Sequence, residues 1–208
     1  LDEVDEMMKN GFSANLATLF KSMPKERQTL LFSATIPTDV EAVAKQFTKQ
    51  AVRLKLSKAR ELPAELTHRS LYTAVDERVG QLAAYMEAQK PFQTIVFCGT
   101  RHETEEVKLA LDDLGVEVEF LHGELSPLKR RQLLEKFRSG DLPVLVASDL
   151  AARGLDLPGV DLIVNYSLPL GTAAYLHRAG RTGRAGRPGV VLSLVIGQQK
   201  EQFDRLKE

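Results

Sequence analysis

Short apolar runs alternate with amphipathic stretches along most of this 208-residue chain, and that alternation restricts its fold more than any other feature. Strand-like runs fall at 29–33, 67–75, 94–97, 116–121, 144–147, 162–165 and 190–195. Helical periodicity falls between them at 38–49, 77–88, 103–114, 127–138, 172–178 and 198–207. The runs around Ile95, Leu145 and Ile163 are apolar at successive rather than alternate positions, as strands covered on both faces must be. Alternating βα units of this kind predict an α/β fold, with helices on both faces of a parallel sheet.

Local chemistry marks the boundaries. Thr38 with Glu41, and Thr100 with Glu103, have capping-box spacing, and Pro127 behind Ser126 suits the first helical position after an N-cap. Gly115 and Gly140 are placed to stop helices. Residues 51–65, with Lys55, Lys58, Arg60 and Pro63, lack a clear period and read as a linker. The chain therefore divides into 1–50, the linker and 66–208.

Hydrophobic residues make up 43% of the chain, enough for a core, and no apolar stretch is long enough to span a membrane. Cys98 is the only cysteine, which rules out an internal disulfide or a Cys-based zinc site and fits a reducing, cytoplasmic setting. Net charge is zero, so the molecule as a whole has no field to capture nucleic acid. Its distribution is uneven. Residues 63–121 carry 5 Lys/Arg and 11 Asp/Glu, a balance of −6, whereas residues 122–187 carry 10 and 6, a balance of +4. A polyanion can bind one face of such a protein, with affinity that falls as salt rises. Lys129, Arg131 and Lys136 also suit a solvated helix face.

The densest motif is His177-Arg178-Ala179-Gly180-Arg181-Thr182-Gly183-Arg184-Ala185-Gly186-Arg187. Guanidinium forks stay charged at any working pH, and glycines let backbone N–H groups approach phosphate oxygens. Flanking strand and helix patterns separate this run from a disordered Arg/Gly tail. A phosphate chain is the ligand it suits.

Other candidates follow strand-like runs. In Leu1-Asp2-Glu3-Val4-Asp5, adjacent carboxylates can hold Mg²⁺ through its waters and orient a hydrolytic water, or serve only as first-turn helix residues. Ser33-Ala34-Thr35 can relay hydrogen bonds or simply start a helix. Gly99, Thr100 and Arg101 end an apolar strand, where amides and a hydroxyl can take phosphate or Thr100 can act as a cap alone. His122-Gly123-Glu124-Leu125-Ser126 leads to Arg130; lone His122 has no metal-ligand set around it. In Ala147-Ser148-Asp149-Leu150-Ala151-Ala152-Arg153-Gly154-Leu155-Asp156, Ser148 can bond a phosphate or sugar, Arg153 can pair internally or face an anion, and Asp156 can accept from a ribose hydroxyl.

Taken in order, DEVD, SAT, IVFCGTR, HGELS, ASDLAARGLD and HRAGRTGRAGR closely resemble the motifs of a DEAD-box ATP-dependent RNA helicase, over essentially the whole chain. The resemblance implies a RecA-like parallel sheet over 66–208, the complete second domain, preceded by the C-terminal remnant of a first RecA-like, ATP-binding domain over 1–50. It implies ATP and Mg²⁺ as cofactors and RNA, held by its backbone, as partner, with ATP and RNA bound between the domains. Asp2 becomes the metal-associated carboxylate and Glu3 the residue that orients the attacking water. Asp5, Ser33, Thr35 and His177 take interdomain coupling. Thr100, Arg101, Gly123, Arg130 and Ser148 take the RNA backbone, Asp156 the nucleotide sugar, and Arg181 and Arg184 the γ-phosphate. Arg178 and Arg187 are left as structural or RNA-facing.

The sequence departs from the family pattern at Val4, where alanine is usual, at Pro127, where glutamine is usual, and at Ser148, where threonine is usual. Pro127 removes an amide side chain and puts one RNA-side hydrogen bond in doubt. No Gly-x-x-x-x-Gly-Lys-Ser/Thr phosphate loop is present, so the chain is expected to be a piece of a longer enzyme, without ATPase of its own. Residues 1–50, as part of a sheet with open edges, are expected to support self-association. Two other functions stay open, a DNA-directed superfamily 2 motor and a non-enzymatic RNA-binding or regulatory module with a helicase-like fold.

Overall fold

Every strand expected after residue 65 is present, and all six pair in parallel. The structure, a computed structural model, describes residues 1–33, 35–54, 66–152, 160–183 and 187–207. Most of the expected linker lies outside those residues, as do Ala34, Arg153, Asp156 and Arg184. The chain forms two compact units, Leu1–Glu61 and Leu62–Glu208.

In the second unit the strands are β1 (Leu66–Thr73), β2 (Thr94–Cys98), β3 (Val118–Leu121), β4 (Val144–Ser148), β5 (Leu162–Asn165) and β6 (Gly189–Ile196). Their order across the sheet is β1-β6-β5-β2-β4-β3. The central strands bury nearly every residue, and their side chains divide by alternation. Ile95, Phe97, Leu145, Ala147 and Ile163 face one core; Val96, Cys98, Val144, Val146, Leu162 and Val164 face the other.

The first core is closed by α6 (Pro127–Ser139), α7 (Asp149–Ala152) and α8 (Thr172–Ala179), through Leu134, Phe137, Ala151, Ala152 and Ala179. The second is closed by α4 (Arg78–Gln89) and α5 (Arg101–Asp113), through Leu82, Met86, Val107 and Leu111. Leu145 and Ile163 are fully buried, and each such side chain contributes about 1.5–3 kcal/mol by leaving water. A three-residue 3₁₀ turn, Gly197–Gln199, leads into α9 (Lys200–Lys207), whose Phe203 packs with Leu168 and Val195.

The expected caps divide. Thr100 Oγ1 accepts from Glu103 N at 3.1 Å and Ser126 Oγ from Lys129 N at 3.3 Å, with Pro127 in the first helical turn. Thr38 does not cap. It is the first residue of α3 (Thr38–Phe47), Pro37 occupies the cap position, and the Pro37 carbonyl accepts from Glu41 N instead. Gly115 and Gly140 follow α5 and α6 with φ of +80° and +86°.

The first unit departs from expectation. It contains α1 (Val4–Lys9), α2 (Ser13–Ser22) and α3, and no strand among its described residues. Among the described residues the backbone of segment 29–33 makes only scattered bonds to the N-terminus: Leu1 N to Leu30 O at 2.8 Å, Phe32 N to Leu1 O at 2.9 Å and Val4 N to Phe32 O at 3.2 Å. Because Val4 already opens a helix, this contact never extends into a ladder. The open sheet edge invoked for self-association is therefore absent from the described residues. Val4, Leu16, Phe20, Val40 and Val43 form a separate small core. No helix among the described residues is long and apolar enough to cross a membrane.

Candidate functional site

Parallel register brings residues far apart in sequence to one level at the carboxyl edge of the sheet. Phe97 pairs with Ala147 and Asn165, and Leu121 pairs with Ala147. Two residues further on stand Gly99, Gly123, Asp149 and Ser167, where the chain leaves this edge into three loops and, at Asp149, directly into α7. After β2 the chain turns to α5 on one face of the sheet, and after the adjacent β4 it turns to α7 on the other. Such a divergence is where open α/β sheets place their ligands.

Thr100 and Arg101 are exposed at the start of α5, and Gly123 is exposed with open space around it. Ser148, half-buried, closes β4 and accepts from Ala151 N at 3.4 Å. These expected RNA-binding residues thus share one edge. Arg130 is already engaged, since its Nη2 donates to the Ala151 carbonyl at 2.8 Å and ties α6 to α7.

The arginine–glycine run has an internal anchor. Arg178 is 3% exposed, and its Nε and Nη2 donate to the two carboxylate oxygens of Asp149 at 2.6 and 2.8 Å. Its Nη1 donates to Asn165 Oδ1 at 2.9 Å and to the Ser167 carbonyl at 2.7 Å, and its guanidinium lies 5.0 Å from the Phe97 ring centre. Asn165 in turn donates to Ser193 Oγ at 3.1 Å. Of the two roles left open for Arg178, the structure selects the structural one. Thr182, also buried, donates to the Val160 carbonyl at 2.5 Å.

Between these anchors Arg181 is half-buried, as is His177 just before Arg178. Arg187 is exposed. The glycines serve packing as well: a Cβ on Gly183, at φ +67°, meets Leu66 at 2.4 Å, and one on Gly189 meets Thr182 Oγ1 at 2.4 Å.

A second buried cluster lies beside the β2 loop. Glu103 accepts from Gly99 N at 2.6 Å and from Ser167 Oγ at 2.5 Å, and pairs with Arg78 at 3.6 Å. Arg78 donates to the Tyr166 carbonyl and stacks 3.7 Å over its ring. Reading the sequence alone missed both clusters. The one available signal was a charged residue directly after an apolar strand, at Asp149.

In the first unit, Asp5 is buried and accepts at Oδ2 from the Thr35 hydroxyl at 2.6 Å and the Thr35 amide at 3.1 Å. Ser33 Oγ accepts from Asp5 N at 3.2 Å and donates to the Thr35 carbonyl at 2.5 Å. The three expected coupling residues of this unit therefore form one hydrogen-bonded group. Burial alone pushes the Asp5 carboxyl up, but the hydrogen bonds from Thr35 and Ser33 outweigh it and hold the group below its ordinary value of 3.8. A carboxyl depressed in the folded state stabilises above its unfolded pKa, and that contribution is lost as pH falls through the folded value. Asp5→Asn should therefore lower the unfolding midpoint at neutral pH, with the gap to wild type closing below about pH 3.9. A gap independent of pH overturns the assignment.

Asp2 is exposed and its Oδ1 accepts from Glu3 N at 2.9 Å; Glu3 caps α1 in a left-handed conformation, φ 51°. No group of three or more metal-ligating side chains gathers among the described residues. Mg²⁺ does not need one, because it keeps several waters and takes one or two carboxylates plus substrate phosphates. Asp2 fits that demand.

Comparison with known proteins shows the family. Residues 76–186 match the helicase conserved C-terminal domain and residues 1–43 match the DEAD/DEAH box helicase family. The chain belongs to the DEAD-box helicase family. It is 40% identical over 196 residues to the ATP-dependent RNA helicase CshA of Listeria monocytogenes, covering 94% of this chain and 38% of that protein. It is 33% identical to the ATP-dependent RNA helicase DbpA of Bacillus subtilis, covering 100% and 43%. Among solved DEAD-box structures, S. cerevisiae Dbp5 bound to RNA and ADP BeF3 superposes with a TM-score of 0.87 at 32% identity, covering 100% of this chain and 55% of that one. A DEAD box protein from Methanococcus jannaschii gives 0.65 at 30% identity, covering 100% and 56%. The chain thus spans about two fifths of the length of these curated relatives.

Proposed function

We propose that this chain belongs to an ATP-dependent RNA helicase that couples ATP hydrolysis to RNA binding and local duplex separation. The observation that carries the reading is the shared edge of β2, β4 and β3. Adjacent strand ends, about 4.8 Å apart, present Thr100 and Arg101, Ser148, and the open backbone of Gly123 in succession. Hydroxyls, amides and a guanidinium in a row suit a phosphate backbone and carry no base-reading pattern, so recognition is independent of sequence. The Dbp5 structure with RNA supports RNA as the polymer.

On this reading Arg181 and Arg184 bind the γ-phosphate and Asp156 the nucleotide sugar, with Arg178 and Thr182 fixing the path of the run between them. Asp2 holds Mg²⁺ through its waters, and the ion, when bound, neutralises phosphate charge. Glu3 orients the attacking water. Asp5, Ser33, Thr35 and His177 transmit RNA binding to the nucleotide site. Residues 1–50 belong to the ATP-binding domain and 66–208 form the RecA-like C-terminal domain. A cytoplasmic location suits the single buried thiol of Cys98.

The test is ATP turnover by the full-length protein with no polymer, with single-stranded RNA and with single-stranded DNA of the same sequence. Stimulation by RNA alone is expected. Equal stimulation by DNA points to a DNA-directed motor, and no turnover under any condition to a binding module.

A further inference from the structure

The donors at the start of α5 are held by the chain's own carboxylates. Arg101 Nε donates to Glu105 Oε1 at 2.9 Å, and its Nη1 pairs closely with Glu124, which stands on the loop after β3. These pairs raise the guanidinium pKa further above its ordinary value, the hydrogen bond that Arg101 donates to Glu105 being the largest cause. Next to them, Glu103 occupies the Gly99 amide. Glu103, 23% exposed, is also tied to Ser167 and Arg78, whereas the pairs on Arg101 lie further out at the surface: side-chain exposure is 48% for Arg101, 40% for Glu105 and 73% for Glu124. Ion pairs that exposed are worth little in water and exchange readily.

Neither pair holds the fold together. Glu105 and Arg101 are one turn apart on α5, whose N-terminus is already capped by Thr100. Glu124 sits beside Gly123 in a loop facing open space. What the two carboxylates do control is the charge that a phosphate meets at Arg101, because a guanidinium already neutralised by two anions offers a third anion little attraction.

We propose that Glu105 and Glu124 form a carboxylate clamp that competes with RNA phosphate for Arg101 and so sets the strength of RNA binding at this edge. This rests on the reading of Arg101 as a phosphate ligand. RNA binding then includes an exchange step in which a phosphate displaces Glu124, and the loop after β3, which carries Gly123, is released from Arg101 as the polymer arrives. Binding is weakened, and the exchange leaves the domain able to let RNA go.

The test is a titration of a short fluorescein-labelled oligouridylate by the 208-residue chain, followed by anisotropy over a range of salt concentrations. Glu105→Gln combined with Glu124→Gln is expected to tighten binding about three- to fivefold at low salt. It should also steepen the salt dependence by about 0.7 in log–log slope, the value for one additional phosphate contact on a single strand. Arg101→Ala should weaken binding, and adding both glutamines to Arg101→Ala should give no gain. If Arg101→Ala weakens binding while the double glutamine variant binds as wild type or worse, the clamp is wrong and the phosphate reading stands. If the glutamines tighten binding equally without Arg101, the effect is general charge and the clamp is again wrong. If the wild type does not bind, or Arg101→Ala binds as wild type does, the phosphate reading falls and the clamp falls with it.

Discussion

Replacing Arg184 with alanine in the full-length protein is expected to reduce RNA-stimulated ATP turnover by about 10³–10⁵, while RNA affinity stays within a few fold of wild type. Phosphoryl transfer depends on positioned charge around the transferring group, and an arginine aimed at the γ-phosphate contributes in the transition state far more than in the ground state. The same change should therefore leave the KM for ATP much less affected than kcat. Arg184 stands one step beyond Gly183, where the described part of the run is fixed by Thr182 and by the close approach of Gly183 to Leu66. Steady-state phosphate release at saturating RNA measures the effect, and unchanged turnover removes Arg184 from the phosphate site.

Arg178→Ala should act through stability. Removing this side chain leaves Asn165 Oδ1 and the Ser167 carbonyl without their donor inside the sheet edge, and leaves Asp149 without its counter-ion. Loss of one partner of a buried pair costs about 3–5 kcal/mol. Asp149 is 39% exposed, so water relieves part of its share and the lower end of that range is expected. Arg178→Lys should recover only a minority of the loss, because an ammonium cannot reproduce the two parallel bonds to Asp149 while also reaching Asn165 and Ser167. Urea unfolding at unchanged m measures both variants. A loss below about 1 kcal/mol for Arg178→Ala places the stability of this edge elsewhere.

These two arginines, six residues apart in one motif, show how far the chain could be read without coordinates. Spacing and glycine content marked the whole run for phosphate, and in that run Arg178 and Arg181 are chemically alike. They differ only in surroundings, since Arg178 points back from the last turn of α8 onto Asp149, which the preceding strand delivers to the same level. The glycines of the run carry the same lesson. Anion binding was one reason for them, and crowding against Leu66 and Thr182 is another that no local pattern displays.

Where expectation failed, the missing information was also a partner. The run Leu30-Leu31-Phe32 has the composition of a strand, yet a strand exists only by pairing, and among the described residues this segment finds three isolated bonds to the N-terminus. Helix α2 was overlooked because it buries only Leu16 and Phe20, too narrow a stripe to stand out from the polar residues around it. Thr38 and Glu41 had the spacing of a capping box, but the carbonyl of Pro37 already accepts the bond that the motif was meant to supply.

By itself the sequence determined the fold class and the family. Apolar runs repeatedly alternating with amphipathic stretches mark strands covered on both faces, and six motifs in a fixed order are far more specific than any one of them. The tertiary structure decided which polar groups are partners: Arg178 with Asp149, 29 residues apart, Glu103 with Ser167, 64 apart, and Arg101 with Glu124 across two loops. In a parallel sheet the neighbours of a loop are set by strand order and register, and the order β1-β6-β5-β2-β4-β3 departs from the order of the strands along the chain. Sequence motifs can name the charged residues at the edge; only the sheet determines which of them are spent on each other and which face the ligand.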